Sequence, residues 1–197
     1  MDDIKILKGN IIYTKTKDEF EICEHGYLVC KDGKVEGIYQ TLPFRLGGEP
    51  IEDHGDCLII PGMTDLHIHA PQYTFRGTGM DLELLEWLET NTFPEEAKYK
   101  DILYANEAYA KFAKNLKHSS TRACVFGTIH RRSTLVLMDH LERSGLVTMV
   151  GKVNMDRNSP DELREGTQES AEETVEWMKD VQHKKYKNTL PILTPRF

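Results

Sequence analysis

The chain has 197 residues, of which 39% are hydrophobic and 29% charged, a balance typical of a globular protein large enough to bury a core. The formal net charge of −7 argues against a nucleic-acid or anionic-membrane surface, because phosphate binding needs concentrated lysine and arginine. The four cysteines lack C-x-x-C spacing, the N-terminus is acidic, and no stretch of about 18 consecutive apolar residues occurs. These features predict a cytoplasmic protein with reduced thiols that binds neither nucleic acid nor membranes.

The first 60 residues predict a small β-domain. Short apolar stretches separated by turn residues predict strands at 4–13, 20–23, 27–30 and 35–39. The pair Asp32-Gly33 lies between the last two strands and predicts a two-residue type I′ hairpin loop, since glycine tolerates the positive φ that this loop requires. We therefore expect residues 1–60 to form a separate, β-sandwich-like domain.

After residue 61 the predicted strands alternate with helices. Apolar stretches predict strands at 123–129, 146–153 and 190–193. Three-to-four spacing of apolar residues predicts helices at 82–88, 93–116, 134–143 and 162–181. The first of these helices is expected to be capped by Asp81. Apolar strands that alternate with helices indicate an α/β fold with a parallel sheet covered by helices.

Two closely spaced histidines follow a Pro-Gly break in an apolar segment. The apolar run at 57–60 stops at Pro61-Gly62, and apolar residues resume at Met63, Leu66 and Ile68. Together these segments predict one strand that enters a buried sheet. Side chains two positions apart on a strand project from the same face, so His67 and His69 should lie side by side. Their Cα atoms would be roughly 6.6 Å apart, a gap that two nitrogens about 2.0 to 2.1 Å from one ion can close. The pair predicts a metal site, with two ordinary surface or core histidines as the alternative.

Polar residues also stand at or just after the ends of three further predicted strands. They are Thr128, His130, Asn154, Asp156, Thr194 and Arg196, and the aromatic Phe197 follows the last of them. In (β/α) barrels, active-site residues gather at the carboxyl ends of the strands, where several strands converge on one mouth. This arrangement favours the metal-site interpretation of His67 and His69 over a chance pair.

The segment Pro61-Gly62-x-x-Asp65-x-His67-x-His69 resembles the first-strand signature of the amidohydrolase superfamily, whose metal-dependent hydrolases are (β/α) barrels with a small β-domain. The continuation is similar to the guanine deaminase family within that superfamily. That similarity is carried by the segments 67–73, 84–88, 92–95, 128–130, 150–153 and 194–197. It extends from about Lys8 to the last residue.

The resemblance implies a role for each matching residue. His67 and His69 correspond to the first two zinc ligands, and His69 and Gln72 lie along the guanine pocket. Arg196 would donate hydrogen bonds to the polar edge of the purine, and Phe197 would pack against its ring. The implied reaction is zinc-dependent hydrolysis of guanine to xanthine and ammonia in purine catabolism, with zinc lowering the pKa of a bound water. The family resemblance also suggests a homodimer.

The family's remaining zinc ligands and its proton-shuttling glutamate all lie beyond the position of Phe197. A complete (β/α) barrel needs about 250 residues, and residues 61–197 suffice for about four strand–helix units. The resemblance therefore implies a truncated, N-terminal half of a TIM-type barrel that is not expected to be active alone. Two alternatives stay open: another amidohydrolase deaminase or chlorohydrolase, or a non-catalytic half-barrel that self-associates.

Five further residues carry weaker expectations. His130 is a candidate for lining the pocket, because it follows a predicted strand. Asp65 and Asp156 could orient histidines as carboxylates behind the metal ligands, although Asp65 could equally make a strand-end hydrogen bond without a role. Trp87 and Phe93 are expected in the core rather than in a lid over the site.

Overall fold

A computed structural model describes residues 3–196 of the chain. The chain divides into two compact units, Met1–Pro61 and Gly62–Phe197. Among the residues that the structure describes, no helix combines the length and apolar character needed to cross a membrane.

The first unit contains a four-stranded mixed sheet. Its described strands are β1 (Ile4–Thr16), β2 (Glu19–Lys31), β3 (Lys34–Tyr39) and β4 (Ile51–Ile59), in the spatial order β3-β2-β1-β4. β2 pairs antiparallel with β1 and β3, whereas β4 runs parallel to β1. Asp32 and Gly33 have φ values of 50° and 75°, which confirms the predicted hairpin loop. Ile6 on β1 and Val29 on β2 form a small core with Leu46, which follows β3.

Two strand predictions for this region were wrong. The stretches 20–23 and 27–30 belong to one long strand, β2, whose pairing with β1 shifts register between Gly9 and Ile11. Residues 57–59 end β4 and pair with β1, so they are not the start of the strand that carries the two histidines. That strand begins anew at Thr64, because Pro61 lacks the N–H group that a continuous ladder needs.

The second unit is built on parallel strands, as the alternating pattern predicted. The described strands are β5 (Thr64–His69), β6 (Arg122–Phe126), β7 (Val147–Gly151), β8 (Val153–Asn154), β9 (Thr189–Pro191) and β10 (Thr194–Pro195). Four of them form a parallel sheet in the order β5-β6-β7-β9, and β8 pairs parallel with β10. The helices are α1 (Leu84–Trp87), α2 (Phe93–Ala97), α3 (Ile102–Leu116), α4 (Arg131–Ser144) and α5 (Thr167–Lys184).

The two faces of the parallel sheet have different surroundings. Val125 and Val150 are register partners on β6 and β7, and both are fully buried in the core that α3 and α4 share. Met149 and Leu190 are register partners on the opposite face, where they are 44% and 48% exposed. The alternation buries one face against helices and leaves the other apolar and open.

The helical region after β5 is more broken than predicted. Asp81 does not cap α1, which begins only at Leu84 and continues through a π-helical turn at Leu88–Thr92. The predicted helix 93–116 is interrupted at Asp101, whose extended backbone and side chain form the N-cap of α3. Its carboxylate accepts hydrogen bonds from two backbone N–H groups of the following turn, a local preference that ends one helix and starts the next.

Two further boundaries differ from the sequence prediction. β6 ends at Phe126 rather than at 129, so Thr128 and His130 lie in the loop before α4. α5 begins at Thr167, after a separate 3-10 turn at Asp161–Leu163 that the prediction had merged with it.

Candidate functional site

The imidazole rings of His67 and His69 lie side by side at the carboxyl end of β5, as predicted. Their Nε2 atoms are 3.2 Å apart. The pairing of β5 with β6 is irregular between Asp65 and Ile68, and the Asp65 carboxylate accepts a hydrogen bond of 3.0 Å from the backbone N–H of His67. Phe126 packs against both rings, with centroid separations of 4.7 and 4.6 Å. The bulge and the phenyl ring together hold the two imidazoles on the open face of the sheet.

The separation of these nitrogens fits two ligands of one metal ion. Ligands about 2.0 to 2.1 Å from a tetrahedral ion lie roughly 3.3 Å from each other. The distance between the Nε2 atoms of His67 and His69 is close to this value. Within residues 3–196, no group of three or more His, Cys, Asp or Glu side chains is placed to hold a metal. The described residues therefore offer two nitrogens with suitable spacing, fewer than the three protein ligands or more that a catalytic zinc site uses.

The electrostatic surroundings keep the His69 imidazole neutral. Burial is the main cause of its lowered pKa, which falls to about 3, and the electrostatic effects of Arg196 and the neighbouring His67 side chain act in the same direction. A neutral imidazole carries the lone pair that metal binding needs. The Nδ1 atom of His69 is buried and has no hydrogen-bond partner among the described residues.

One cavity of about 620 Å³ brings together most of the residues that the sequence singled out. His67, His69, Gln72 and Arg196 all line it, together with Trp87. Its volume is in the range of small-molecule sites. The fifth candidate, Phe197, lies outside the residues that the structure describes. A larger groove of about 910 Å³ runs along α5, but its described lining includes no histidine or cysteine.

Gln72 reaches the cavity from a 3-10 helix, Ala70–Phe75, that follows β5 directly. Thr74, in the same segment, donates a hydrogen bond of 3.3 Å to the Glu95 carboxylate on α2. The short helix turns the chain away from the sheet just after His69. It thus places Gln72 in the lining of the cavity that the two histidines also line.

Arg196 reaches the cavity from the end of β10. Its backbone N–H donates to the carbonyl oxygen of Asn154, at a distance of 3.1 Å. Its guanidinium Nη1 donates to the Glu96 carboxylate on α2 at 2.6 Å, and the two side chains are only 9% and 3% exposed. Glu96 could not be predicted from the sequence as part of the site. Adjacent acids such as Glu95 and Glu96 are common in a first helical turn, where their negative charges interact favourably with the helix dipole. The sequence therefore does not show that one of the two is buried.

His130 and Asp156 lie away from this site, contrary to their candidate roles. His130 lines a separate cavity of about 560 Å³ together with Arg131 and Glu165. The Asp156 carboxylate accepts hydrogen bonds from the neighbouring Arg157 and from Thr167, and no described histidine contacts it.

The other three residues with weaker expectations lie close to the cavity or in the core beneath it. Asp65 bonds to the backbone of His67 rather than to an imidazole ring, which matches the strand-end alternative. Phe93 is buried in the core, whereas Trp87 is half-buried and lines the cavity.

Comparison with known proteins identifies the family. The sequence model of the Amidohydrolase family matches residues 58–196. The chain belongs to the amidohydrolase family. This amidohydrolase chain is 42% identical to the guanine deaminase of Dictyostelium discoideum and 36% identical to that of Escherichia coli strain K12. Each alignment covers 98% of this chain but only 47% and 46% of the relative, so the chain spans about half the length of the curated relatives it matches.

A solved structure agrees with these sequence matches. The crystal structure of guanine deaminase from C. acetobutylicum, with guanine bound in its active site, superposes on this amidohydrolase chain with a TM-score of 0.90. The two sequences are 46% identical, and the superposition covers 99% of this chain and 46% of the other. The mixed α/β fold with its parallel sheet is therefore that of the amidohydrolase family.

Proposed function

We propose that this protein is a guanine deaminase, which hydrolyses guanine to xanthine and ammonia in purine catabolism. The observation that carries the proposal is the single cavity lined by His67, His69, Gln72 and Arg196. Guanine deaminases among the relatives, including one crystallised with guanine, support the choice of substrate. In the reaction, water supplies the oxygen that replaces the amino group at guanine C2, and ammonia leaves.

We assign the two histidines to a zinc ion. The 3.2 Å separation of their Nε2 atoms and the neutral state of His69 support this assignment. A zinc ion held there would supply the Lewis-acid chemistry on which hydrolytic deaminations depend. The remaining ligands and the acid–base glutamate are proposed to come from residues beyond Phe197.

We assign recognition of the purine to Gln72, Arg196 and Phe197, with His69 beside them. The Arg196 guanidinium offers planar donors that match a carbonyl oxygen and an adjacent ring nitrogen. The Gln72 amide offers both a donor and an acceptor, which suits an oxo-purine edge that presents both. Phe197 would supply an aromatic face for the flat ring.

We further propose that residues 61–197 are the first half of a (β/α) TIM-type barrel and that residues 1–60 belong to a β-sandwich-like domain. The open apolar face of the sheet, with Met149 and Leu190, supports the barrel, because closure of a barrel would cover that face. The family resemblance supports a homodimer for the complete enzyme. The composition supports a cytoplasmic location.

The test measures ammonia and xanthine released from guanine by the longest expressed form of the protein, purified with zinc. We expect turnover by the parent and none by His67→Ala, because one of two required ligands is lost. His118→Ala, which removes an exposed histidine that is not part of the cavity lining, is the matched control and should retain turnover. Normal turnover by His67→Ala would contradict the zinc assignment.

Rates on guanine, adenine and cytosine separate this proposal from another amidohydrolase activity. The side chains of Arg196 and Gln72 predict a preference for guanine over adenine. The oxo group of guanine accepts a hydrogen bond at the position where the amino group of adenine donates one. A faster rate on adenine or cytosine would reject the proposal.

A further inference from the structure

Glu96 and Arg196 form a buried ion pair between residues that are far apart in the sequence. The Nη1–Oε2 distance is 2.6 Å across a separation of 100 residues. Their side chains are 3% and 9% exposed. Removing two charges from water is costly, so a buried pair is weak evidence for a purely stabilising role. Its position beside the cavity suggests another role.

The backbone alone leaves the Arg196 guanidinium poorly fixed. The residue follows β10, which is only two residues long and pairs with the equally short β8. A long arginine side chain on such a strand has many rotamers available. Contacts from α2 restrict the arginine side chain. The Glu96 carboxylate binds one end of the guanidinium, and the guanidinium carbon Cζ lies 5.8 Å from the centre of the Phe93 ring.

The surroundings of Glu96 are unfavourable for a carboxylate whose purpose is stability. Its second oxygen, Oε1, is buried and lacks a hydrogen-bond partner among the described residues. Burial raises the pKa of Glu96, although the charge of Arg196 acts in the opposite direction. The adjacent Glu95 differs, because its carboxylate has three polar partners on neighbouring segments. Glu96 therefore has one described partner, and that partner lines the cavity.

We propose that Glu96 is a positioning residue, which holds the Arg196 guanidinium in the orientation that binds the oxo edge of a purine. Glu96 acts through Arg196 and does not itself touch the substrate. The carboxylate fixes Nη1 by a charge-assisted hydrogen bond and so selects one rotamer of the arginine before the ligand arrives. This inference rests on the proposed function for the identity of the ligand, but not for the contact between the two side chains.

The test compares Glu96→Gln with the intact parent protein. Rotation about the Nε–Cζ bond of Arg196, measured by NMR, reports the orientation directly. We expect it to accelerate about tenfold in the variant, since a neutral acceptor binds the guanidinium less strongly than a carboxylate. We expect the Kd for guanine to rise about tenfold as well.

The matched control is Glu165→Gln. Glu165 forms a second buried pair, with Lys152, at the same distance of 2.6 Å, and Lys152 is fully buried. Glu165 lines a different cavity from the one that Arg196 lines. This variant loses a comparable ion pair without touching Arg196, so it should keep both the rotation rate and the guanine Kd of the parent. Should Glu96→Gln fail to fold, Glu96→Asp is the second variant, because its carboxylate is one methylene shorter and lies farther from Arg196. The same increases in the rotation rate and in the guanine Kd are expected.

Three results would overturn the inference. They are an unchanged rotation rate of Arg196, an unchanged Kd for guanine in a folded Glu96 variant, and an equal rise in Kd in Glu165→Gln. A parent protein that does not bind guanine, with Arg196 still released by Glu96→Gln, would support the positioning role and contradict the proposed substrate. The two failures are thus distinguishable.

Discussion

The phenol of Tyr99 donates a hydrogen bond of 3.2 Å to the carbonyl oxygen of Pro71, the residue directly before Gln72. Tyr99 is fully buried, and its ring packs against those of Tyr109 and Tyr104 at centroid distances of 4.8 and 5.2 Å. A side chain fixed in the core therefore holds the backbone of the segment that brings Gln72 to the cavity. The position of Gln72 depends on the core as well as on the strand before it.

Tyr99→Phe should lower both stability and guanine affinity. The change removes the Tyr99 hydroxyl and leaves the Pro71 carbonyl with the hydrogen bond from the Thr74 hydroxyl, so the free energy of unfolding should fall by about 1 kcal/mol. The Kd for guanine should rise a few-fold as Gln72 loses its anchor. Urea unfolding and calorimetric titration measure the two effects.

Tyr186→Phe is the control for Tyr99→Phe, because the Tyr186 phenol bonds to Asp139, a residue outside the cavity lining. It should lose comparable stability and keep the guanine affinity of the parent. Equal affinities for guanine in both variants would show that the Tyr99 bond does not position Gln72.

Zinc binding should require both histidines on β5. His67→Ala and His69→Ala each remove one of two nitrogens that are 3.2 Å apart, so each should weaken zinc binding by about a hundredfold or more. Competition with a chromophoric chelator at neutral pH gives the affinity. His118→Ala should match the parent. Retention of parental affinity by either variant on β5 would refute the pair as ligands.

The sequence was sufficient for features that depend on local geometry. The spacing of His67 and His69 placed both rings on one face, because successive side chains of a strand alternate. The Asp32-Gly33 loop followed from the positive φ that it requires. The parallel sheet followed from apolar strands that alternate with helices. The first two features depend on residues only a few positions apart, and the third depends on a pattern that repeats along the chain.

Contacts between distant residues were not predictable in the same way. Glu96 meets Arg196 across 100 residues and Tyr99 meets Pro71 across 28, and neither pair has a distinguishing local pattern. The break at Asp101 was missed because apolar spacing continues through it, while the capping carboxylate ends the helix. His130 was misplaced because β6 ends three residues sooner than its apolar run.

Leu137 on α4 should be among the residues on which the second unit depends most. It is fully buried in the core between the helices and the sheet, whereas Leu103 on α3 is 77% exposed. Leu137→Ala should lower the free energy of unfolding by about 2 to 5 kcal/mol, because it leaves a cavity. Leu103→Ala, the same change on the surface, should stay within about 0.5 kcal/mol. Equal losses in urea unfolding would contradict the described packing.

His130 should make the stability of the protein depend on pH. Burial lowers its pKa to about 4, and the charges of Lys100 and Lys152 contribute to the shift. Its Nε2 atom is buried and lacks a hydrogen-bond partner in the described part of the chain. Because the folded state disfavours the charged imidazole, the stabilising effect is complete above the unfolded pKa of about 6.5 and is lost as the pH falls towards 4.

The measurement of this effect compares urea unfolding of the parent and of His130→Gln between pH 4 and pH 7.5. Glutamine is neutral throughout, so the variant lacks the proton uptake on unfolding at this position. Between about pH 6.5 and pH 4 the parent should lose about 1 to 2 kcal/mol more than the variant, a range reduced to allow for partial solvent screening. All other titrating groups are common to both proteins and cancel in the difference. Parallel curves would show that the His130 imidazole titrates alike in the folded and unfolded chains.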